Sequence, residues 1–168
     1  MNNIKILVLD VDGTLTNGNL YIDNHNNELK SFSVRDGFAI VNWIKYGGEV
    51  AILTGKSSNI VERRAKELGI KYIIQGSKNK TRDLKELLDK INFDFSNVAY
   101  MGDDINDMGL MKKVALPACP SDAVEEILKI VKYTSIKAGG QGAVRDLLEY
   151  IMKQNGMWDK VLEKYINE

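Results

Sequence analysis

"LVLDVDGTLT", Leu7 to Thr16, decides the fold. A run of branched apolar residues passes straight into two carboxylates, Asp10 and Asp12, with Gly13, Thr14 and Thr16 behind them. Apolar at nearly every position, residues 4–9 read as a strand buried on both faces, the kind found at the centre of a parallel sheet. Two carboxylates one residue apart at the end of such a strand lose water and repel each other. A metal ion is the first candidate to offset that cost.

Three further runs share this character: "GEVAIL" ending at Leu53, "KYIIQ" ending at Gln75 and "NVAYM" ending at Met101. "VALP" at Val114 predicts a shorter strand, and "KYTS" at Lys132 an edge strand. Helical patterns lie between them. Asp36 to Tyr46 opens on an N-cap residue, Asp36, and ends before Gly47 and Gly48. "SSNIVERRAKELG" spaces Ile60, Val61, Ala65 and Leu68 as a helix does and stops at Gly69. "TRDLKELLDKI" follows Lys80, "NDMGLMKK" follows Asp104, and "SDAVEEILKI" takes Ser121 as its cap. This alternation predicts an α/β fold with a doubly wound, mainly parallel, Rossmann-like sheet.

One segment breaks the alternation. "GNLYIDNHNNELKSFSV" alternates polar and apolar residues around an Asn-rich centre, which predicts a projecting β-hairpin over about residues 17–34. A lone hairpin is marginal in water, so it should lean on the body or on a neighbouring subunit. The stretch between Leu15 and Arg35 is too short for a large cap domain. The expected organisation is one domain, residues 1–155, and a C-terminal tail, residues 156–168.

The totals narrow the function. The chain has 168 residues, 44% hydrophobic and 27% charged, which suits one soluble globular domain. Its 23 basic and 23 acidic residues balance, so no bulk field points to nucleic acid or a membrane surface. Cys119 is the only cysteine, which rules out an internal disulfide. The N-terminal apolar run is too short for a signal sequence, and no run approaches the ~20 apolar residues that span a bilayer. The expected location is cytoplasmic.

In open α/β sheets, ligands bind outside the carboxyl ends of the strands. The conspicuous polar residues fall there. Asp10 and Asp12 follow the first strand, and Thr54, Gly55 and Lys56 the second; Lys80 opens a helix after the third, and "GDDIND", Gly102 to Asp107, follows "NVAYM". Such a patch suits phosphoryl transfer. Asp10 is the candidate nucleophile, attacking phosphorus to form an aspartyl phosphate. Mg²⁺ needs oxygen ligands, which Asp10, Asp103 and the backbone carbonyl of Asp12 would provide. Asp12 is the candidate acid and then base. Thr54 and Lys80 would bind the remaining phosphate oxygens. Asp104 and Asp107 would orient Lys80 or a metal-bound water from behind.

"DVDGTLT", Thr54, Lys80 and "GDDIND" together resemble the motifs of the haloacid dehalogenase superfamily of aspartate-nucleophile phosphatases, in the same order. "FSVRDGFAI", "QGSKNK", "LPACPSDAVEEI" and "AGGQGAVRDLLEYIMKQNG" resemble its small capless branch, the 3-deoxy-D-manno-octulosonate 8-phosphate phosphatases. The resemblance implies a Mg²⁺-dependent enzyme of lipopolysaccharide biosynthesis, acting on a small phosphorylated sugar acid. It implies a homotetramer in which the hairpin stands in place of a cap and a neighbour's tail reaches towards the site. It also implies a substrate-binding set of Arg35, Thr54, Gly55, Lys56, Arg64 and Lys80. Two positions depart from that pattern: Lys56 and Gln141 stand where the branch has Arg. Arg grips a carboxylate with two parallel bonds, which neither replacement does. A nine-carbon keto acid 9-phosphate therefore stands as the alternative substrate. From other classes stand a phospho-Asp signalling domain, whose acceptor follows a later strand, and a non-catalytic interaction subunit, which would not need both Asp10 and Asp12.

Other residues have plainer readings. His25 sits in the hydrophilic hairpin loop with nothing to orient it. Cys119 reads as a small packed residue, and Met108 and Met111 as one core-facing helical face. Trp158 reads as ordinary packing or a subunit contact, and the preference of aromatic anchors for interfaces favours the latter.

Overall fold

The computed structural model describes residues 3–167. The chain runs through β1 (Ile6–Leu9), β2 (Tyr21–Ile22), β3 (Glu28–Leu29), α1 (Val34–Lys45), β4 (Glu49–Leu53), α2 (Asn59–Glu67) and β5 (Tyr72–Ile74). It continues through α3 (Lys80–Lys90), β6 (Val98–Met101), α4 (Met108–Met111), β7 (Leu116–Cys119), α5 (Glu125–Leu128), β8 (Tyr133–Thr134), α6 (Ala143–Gln154) and α7 (Met157–Ile166). Six strands make one sheet in the order β5-β4-β1-β6-β7-β8, and every pairing in it is parallel. β1 is central, with β4 on one side and β6 on the other, so the strand order reverses beside it. A crevice forms at such a reversal, outside the carboxyl ends of the strands.

The apolar character of the strands follows from burial on both faces. Leu7 and Leu9 of β1, Ile52 of β4 and Met101 of β6 pack under α1, α2, α6 and α7. Ile6 and Val8, Leu53 and Tyr100 point the other way, against α3, α4 and α5. Successive strand residues alternate between faces, so one continuous apolar run feeds two cores.

Four local expectations need correction. The seventh strand is Leu116–Cys119, not "VALP". It runs on through Pro117, which is in register with Tyr100 and whose carbonyl accepts from the Lys132 N–H at 2.9 Å. The first helix starts before Asp36: Ser33 is its cap, accepting from the Asp36 N–H at 3.3 Å. Ser121 does not cap α5, which is only four residues long. The Ser121 N–H is bound to the Lys137 carbonyl at 2.9 Å and the Val124 N–H to the Asp103 carbonyl at 3.0 Å, which holds residues 121–123 in a turn ahead of the helix. Finally, Trp158 is packed within its own chain, 6% exposed, with the Arg145 guanidinium 4.7 Å from its ring.

Most of the stretch set apart as a tail is therefore helix. α7 buries Trp158 and Val161 in the core shared with α1 and α6. Phe38 and Tyr165 meet with ring centroids 5.2 Å apart, and the Tyr46 hydroxyl donates to the Lys160 carbonyl at 3.1 Å. The β2–β3 hairpin pairs Tyr21 with Leu29 and Ile22 with Glu28, and its apolar side chains are exposed. Among the described residues, no helix is long and apolar enough to cross a membrane.

Candidate active site

β1, β4 and β6 end together, and each delivers polar residues to the crevice. After β1 the chain turns sharply. Gly13 has φ +89°, a conformation that glycine adopts without steric cost. It is also crowded: a Cβ there would lie 1.9 Å from Asp103 Oδ2. The turn thus brings the loops after β1 and β6 into contact. The Thr14 hydroxyl reaches Asp103 Oδ1 at 3.4 Å.

Asp10, Asp103 and Asp107 each place a carboxylate oxygen within 4.8 Å of the others. One buried cation serves this cluster. Lys80, the first residue of α3, sets its Nζ 2.9 Å from Asp10 Oδ1 and 2.6 Å from Asp107 Oδ1. Asn79 fixes the helix start by accepting from the Arg82 N–H at 3.0 Å. Burial works against the Lys80 ammonium, but Asp10 and Asp107 outweigh it and hold it above the usual lysine range.

One ammonium does not balance three carboxylates. Burial, opposed by Lys80 and reinforced by Asp107, pushes the Asp10 carboxyl up to about 6. Burial and then the charges of Asp10, Asp107 and Asp104 push Asp103 up to about 7. Both values report surplus negative charge held away from water, the condition a hard divalent cation relieves.

The three acids are not equivalent. Asp107 is fully buried and already engaged on both oxygens. Its Oδ1 accepts from Lys80 and, at 2.6 Å, from the Tyr100 hydroxyl; its Oδ2 accepts from the Asp103 N–H at 3.1 Å. Asp10 and Asp103 remain as the carboxylates that fit a metal ion, with Asp107 fixing the lysine and the backbone behind them. The Asp12 side chain goes elsewhere: its Oδ1 meets Lys30 Nζ at 2.5 Å.

The other anticipated residues divide. Thr54 is buried at the end of β4, its carbonyl accepting from the Ser77 N–H at 3.0 Å. Gly55, Lys80 and Asn106 line a cleft of about 270 Å³. Lys56 is exposed beside it in sequence. Arg35 is exposed on α1 and lines a separate groove of about 300 Å³ with Lys137, Gln141 and Arg145. Arg64 is not at the acid cluster. Its guanidinium packs against Gly37 and reaches Glu67 at 3.4 Å, between α1 and α2. Asp104 is exposed and accepts from its neighbour's N–H, Ile105, at 2.7 Å, so it caps a turn and does not face Lys80.

Two residues of the site went unnoticed in the sequence, Lys30 and Tyr100. Tyr100 had a signal. It is polar-tipped, in an otherwise apolar strand, two residues before the acidic loop, and its hydroxyl also lies 3.3 Å from Lys80 Nζ. Burial and then Asp107 hold its phenol well above the ordinary tyrosine range, so it acts as a donor. Lys30 had none, because only the folded hairpin brings it to Asp12.

Known proteins resemble this chain throughout its length. A haloacid dehalogenase-like hydrolase profile matches residues 33–114. The 3-deoxy-D-manno-octulosonate 8-phosphate phosphatase of Escherichia coli K12 is 40% identical over 158 residues, 94% of this chain and 84% of its own. The Yersinia pestis phosphatase is 39% identical over 150 residues, 89% of this chain and 80% of its own. The crystal structure of the Moraxella catarrhalis phosphatase, in complex with magnesium, phosphate and KDO, superposes with a TM-score of 0.95 at 36% identity, covering 97% of this chain and 94% of that one. The cobalt-bound form of the Haemophilus influenzae phosphatase superposes at 0.88 with 33% identity, covering 92% and 90%. With two strands' worth of acids, a buried lysine and this degree of likeness on the page, the chain belongs to the haloacid dehalogenase-like hydrolases, in the family of the 3-deoxy-D-manno-octulosonate 8-phosphate phosphatases.

Proposed function

We propose that the chain is a Mg²⁺-dependent phosphatase that converts 3-deoxy-D-manno-octulosonate 8-phosphate to the free sugar acid and phosphate through an aspartyl phosphate on Asp10. The observation that carries this reading is the buried Asp10–Lys80–Asp107 array facing Asp103, closed at the back and open towards the crevice.

Asp10 and Asp103 would hold the ion with the Asp12 carbonyl. Bound there, Mg²⁺ supplies positive charge that lets an anionic nucleophile approach an anionic phosphate. The chain's own groups do the rest. Asp10, fixed by Lys80, presents a carboxylate oxygen to phosphorus. Lys80 draws the phosphate oxygens in and meets the charge that grows on them. Thr54 and Gly55, at the end of β4, offer further donors on the same side. Asp12 gives a proton to the departing alcohol oxygen as the P–O bond breaks. It then takes one from the water that displaces Asp10 from phosphorus. Asp107 and Tyr100 keep Lys80 in place throughout.

Substrate selection falls to Arg35, Lys56 and the loop carrying Gln141. Without a large insertion over the crevice, closure belongs to a neighbouring subunit, and the exposed apolar residues of the hairpin, Tyr21, Ile22 and Leu29, suit contact within a homotetramer. Phosphorylated sugar acids carry too much charge to cross a bilayer, so the enzyme works where they are made, in the cytoplasm.

The test is phosphate release across a panel of the octulosonate 8-phosphate, nine-carbon keto acid 9-phosphates, hexose phosphates and an aryl phosphate. A kcat/KM for the octulosonate at least ~100-fold above the rest, about 2.7 kcal/mol, is expected. Preference for a nine-carbon acid would instead assign Lys56 and Gln141 to that substrate.

A further inference from the structure

We propose that Lys30, carried by the hairpin, is the positioning residue for Asp12, and that the hairpin is thereby a working part of the catalytic apparatus. The inference rests on the reading of Asp12 as proton carrier given above.

The contact is specific and costly to make. Lys30 directly follows β3, and its side chain is only 1% exposed. Lysine is among the residues least often buried, because its ammonium loses hydration and its stem loses rotamers. Two acids compensate: Asp12 Oδ1 at 2.5 Å and Glu28 Oε1 at 3.3 Å. Among the described residues, no other side chain holds the Asp12 carboxylate, which is 25% exposed in a loop whose next residue is Gly13. Without Lys30 that carboxylate is free to sample its staggered rotamers.

The geometry fits the task. Lys30 grips Oδ1, and no hydrogen bond to Oδ2 forms among the described residues. Oδ2 is thus the oxygen available to carry the proton. In the first step Asp10 forms its bond to phosphorus, the P–O bond to the alcohol breaks, and the proton on Asp12 passes to the departing oxygen. In the second, water oxygen bonds to phosphorus, the Asp10–phosphorus bond breaks, and a water proton returns to Asp12. The donor must stand about 2.6–3.2 Å from its target, and a misplacement of ~1 Å costs on the order of 10²-fold in rate.

This predicts a dependence on the leaving group that a merely structural lysine would not show. An alkyl phosphate needs its alkoxide protonated as it leaves. An aryl phosphate with an acidic phenol does not. kcat/KM reports only steps up to the first irreversible one, so it isolates this protonation from the later attack of water. Lys30→Met is expected to lower kcat/KM for the sugar acid phosphate about 100-fold, and for the aryl phosphate less than ~5-fold, with Lys30→Arg recovering much of the loss. Asp12→Asn should show the same selective pattern. Thermal unfolding checks each variant, and Lys30→Gln replaces Lys30→Met should the latter not fold.

An equal fall on both substrates, or no fall, would overturn the role of Lys30 while leaving Asp12 as proton carrier if Asp12→Asn stays selective. An unselective Asp12→Asn would overturn the reading of Asp12 itself and the proposal with it.

Discussion

Lys80 Nζ lies 2.6 Å from Asp107 Oδ1, closer than its 2.9 Å approach to the nucleophile candidate Asp10. The lysine is thus anchored from behind and lent to the site in front. The anchor is itself tied to Tyr100 and to the Asp103 N–H, so one carboxylate fixes residues from β6, α3 and the loop between β6 and α4.

Asp107→Asn should therefore damage both the fold and the chemistry. It removes one charge from a buried pair and points an amide N–H at the Asp103 N–H. A loss of about 3 kcal/mol in urea unfolding is expected, with a fall of about 10²-fold in kcat from a misdirected Lys80. Unchanged stability would show that Asp107 is a bystander.

The metal-free protein should lose stability as pH rises. The folded-state carboxyls of Asp10 and Asp103 lie above their ordinary values, at about 6 and about 7. The stability they contribute is therefore full at low pH and is lost as pH passes through those values. Unfolding in EDTA at about pH 5 and about pH 8 measures it. For Asp10 alone, side chain 8% exposed, the difference between these two pH values is on the order of 1–2 kcal/mol, the rest of its loss falling below about pH 5. Mg²⁺ should restore stability at the higher pH. Asp10→Asn should abolish turnover, yet leave the metal-free protein at least as stable as the parent at about pH 8. Retained turnover would remove the aspartyl phosphate from the mechanism.

Gly13→Ala should cost modest stability and most of the activity. The left-handed φ costs a residue with a Cβ roughly 1–2 kcal/mol. The new methyl, however, would occupy the place of Asp103 Oδ2. A rise in the Mg²⁺ concentration needed for half-maximal activity, together with a kcat fall of about 10²-fold, is expected. Normal Mg²⁺ dependence would mean that Asp103 is not a ligand.

Trp158→Ala should do the reverse. The ring is buried on α6 and flanked by Arg145 and Lys153, so its loss costs about 3 kcal/mol in unfolding. Kinetic constants should stay at the parent's values. A changed KM with unchanged stability would return α7 to the role of a tail that serves a neighbour's site.

The sequence made the sheet legible because burial on both faces writes a strand as an unbroken apolar run, as in Ile6–Leu9 and Val98–Met101. It made the acid cluster legible because the cluster sits where those runs stop. What it hid depends on contacts between distant segments. Asp36 looks like a helix cap by composition, and it does serve as one, but for α6: its Oδ1 accepts from the Arg145 N–H at 2.8 Å. Trp158 looks like an interface anchor because no local pattern reveals α6 beneath it. Lys30 looks like one solvated lysine among many until the hairpin folds over the first loop. Pro117 disguised β7 because a parallel ladder can still use its carbonyl.

The loop after β8 meets the first loop backbone to backbone. A Cβ on Gly139 would fall 1.9 Å from the Gly13 carbonyl oxygen, and the Gly140 N–H donates to the Thr14 carbonyl at 3.0 Å. That contact divides the loop into a part evolution can edit and a part it cannot. Gly139 and Gly140 have no room for any side chain, whereas Lys137 and Gln141, two positions before and one position after them, face an open groove and carry chemistry freely. A library meant to change the substrate proposed for this scaffold should randomise 137 and 141 and leave the two glycines between them alone.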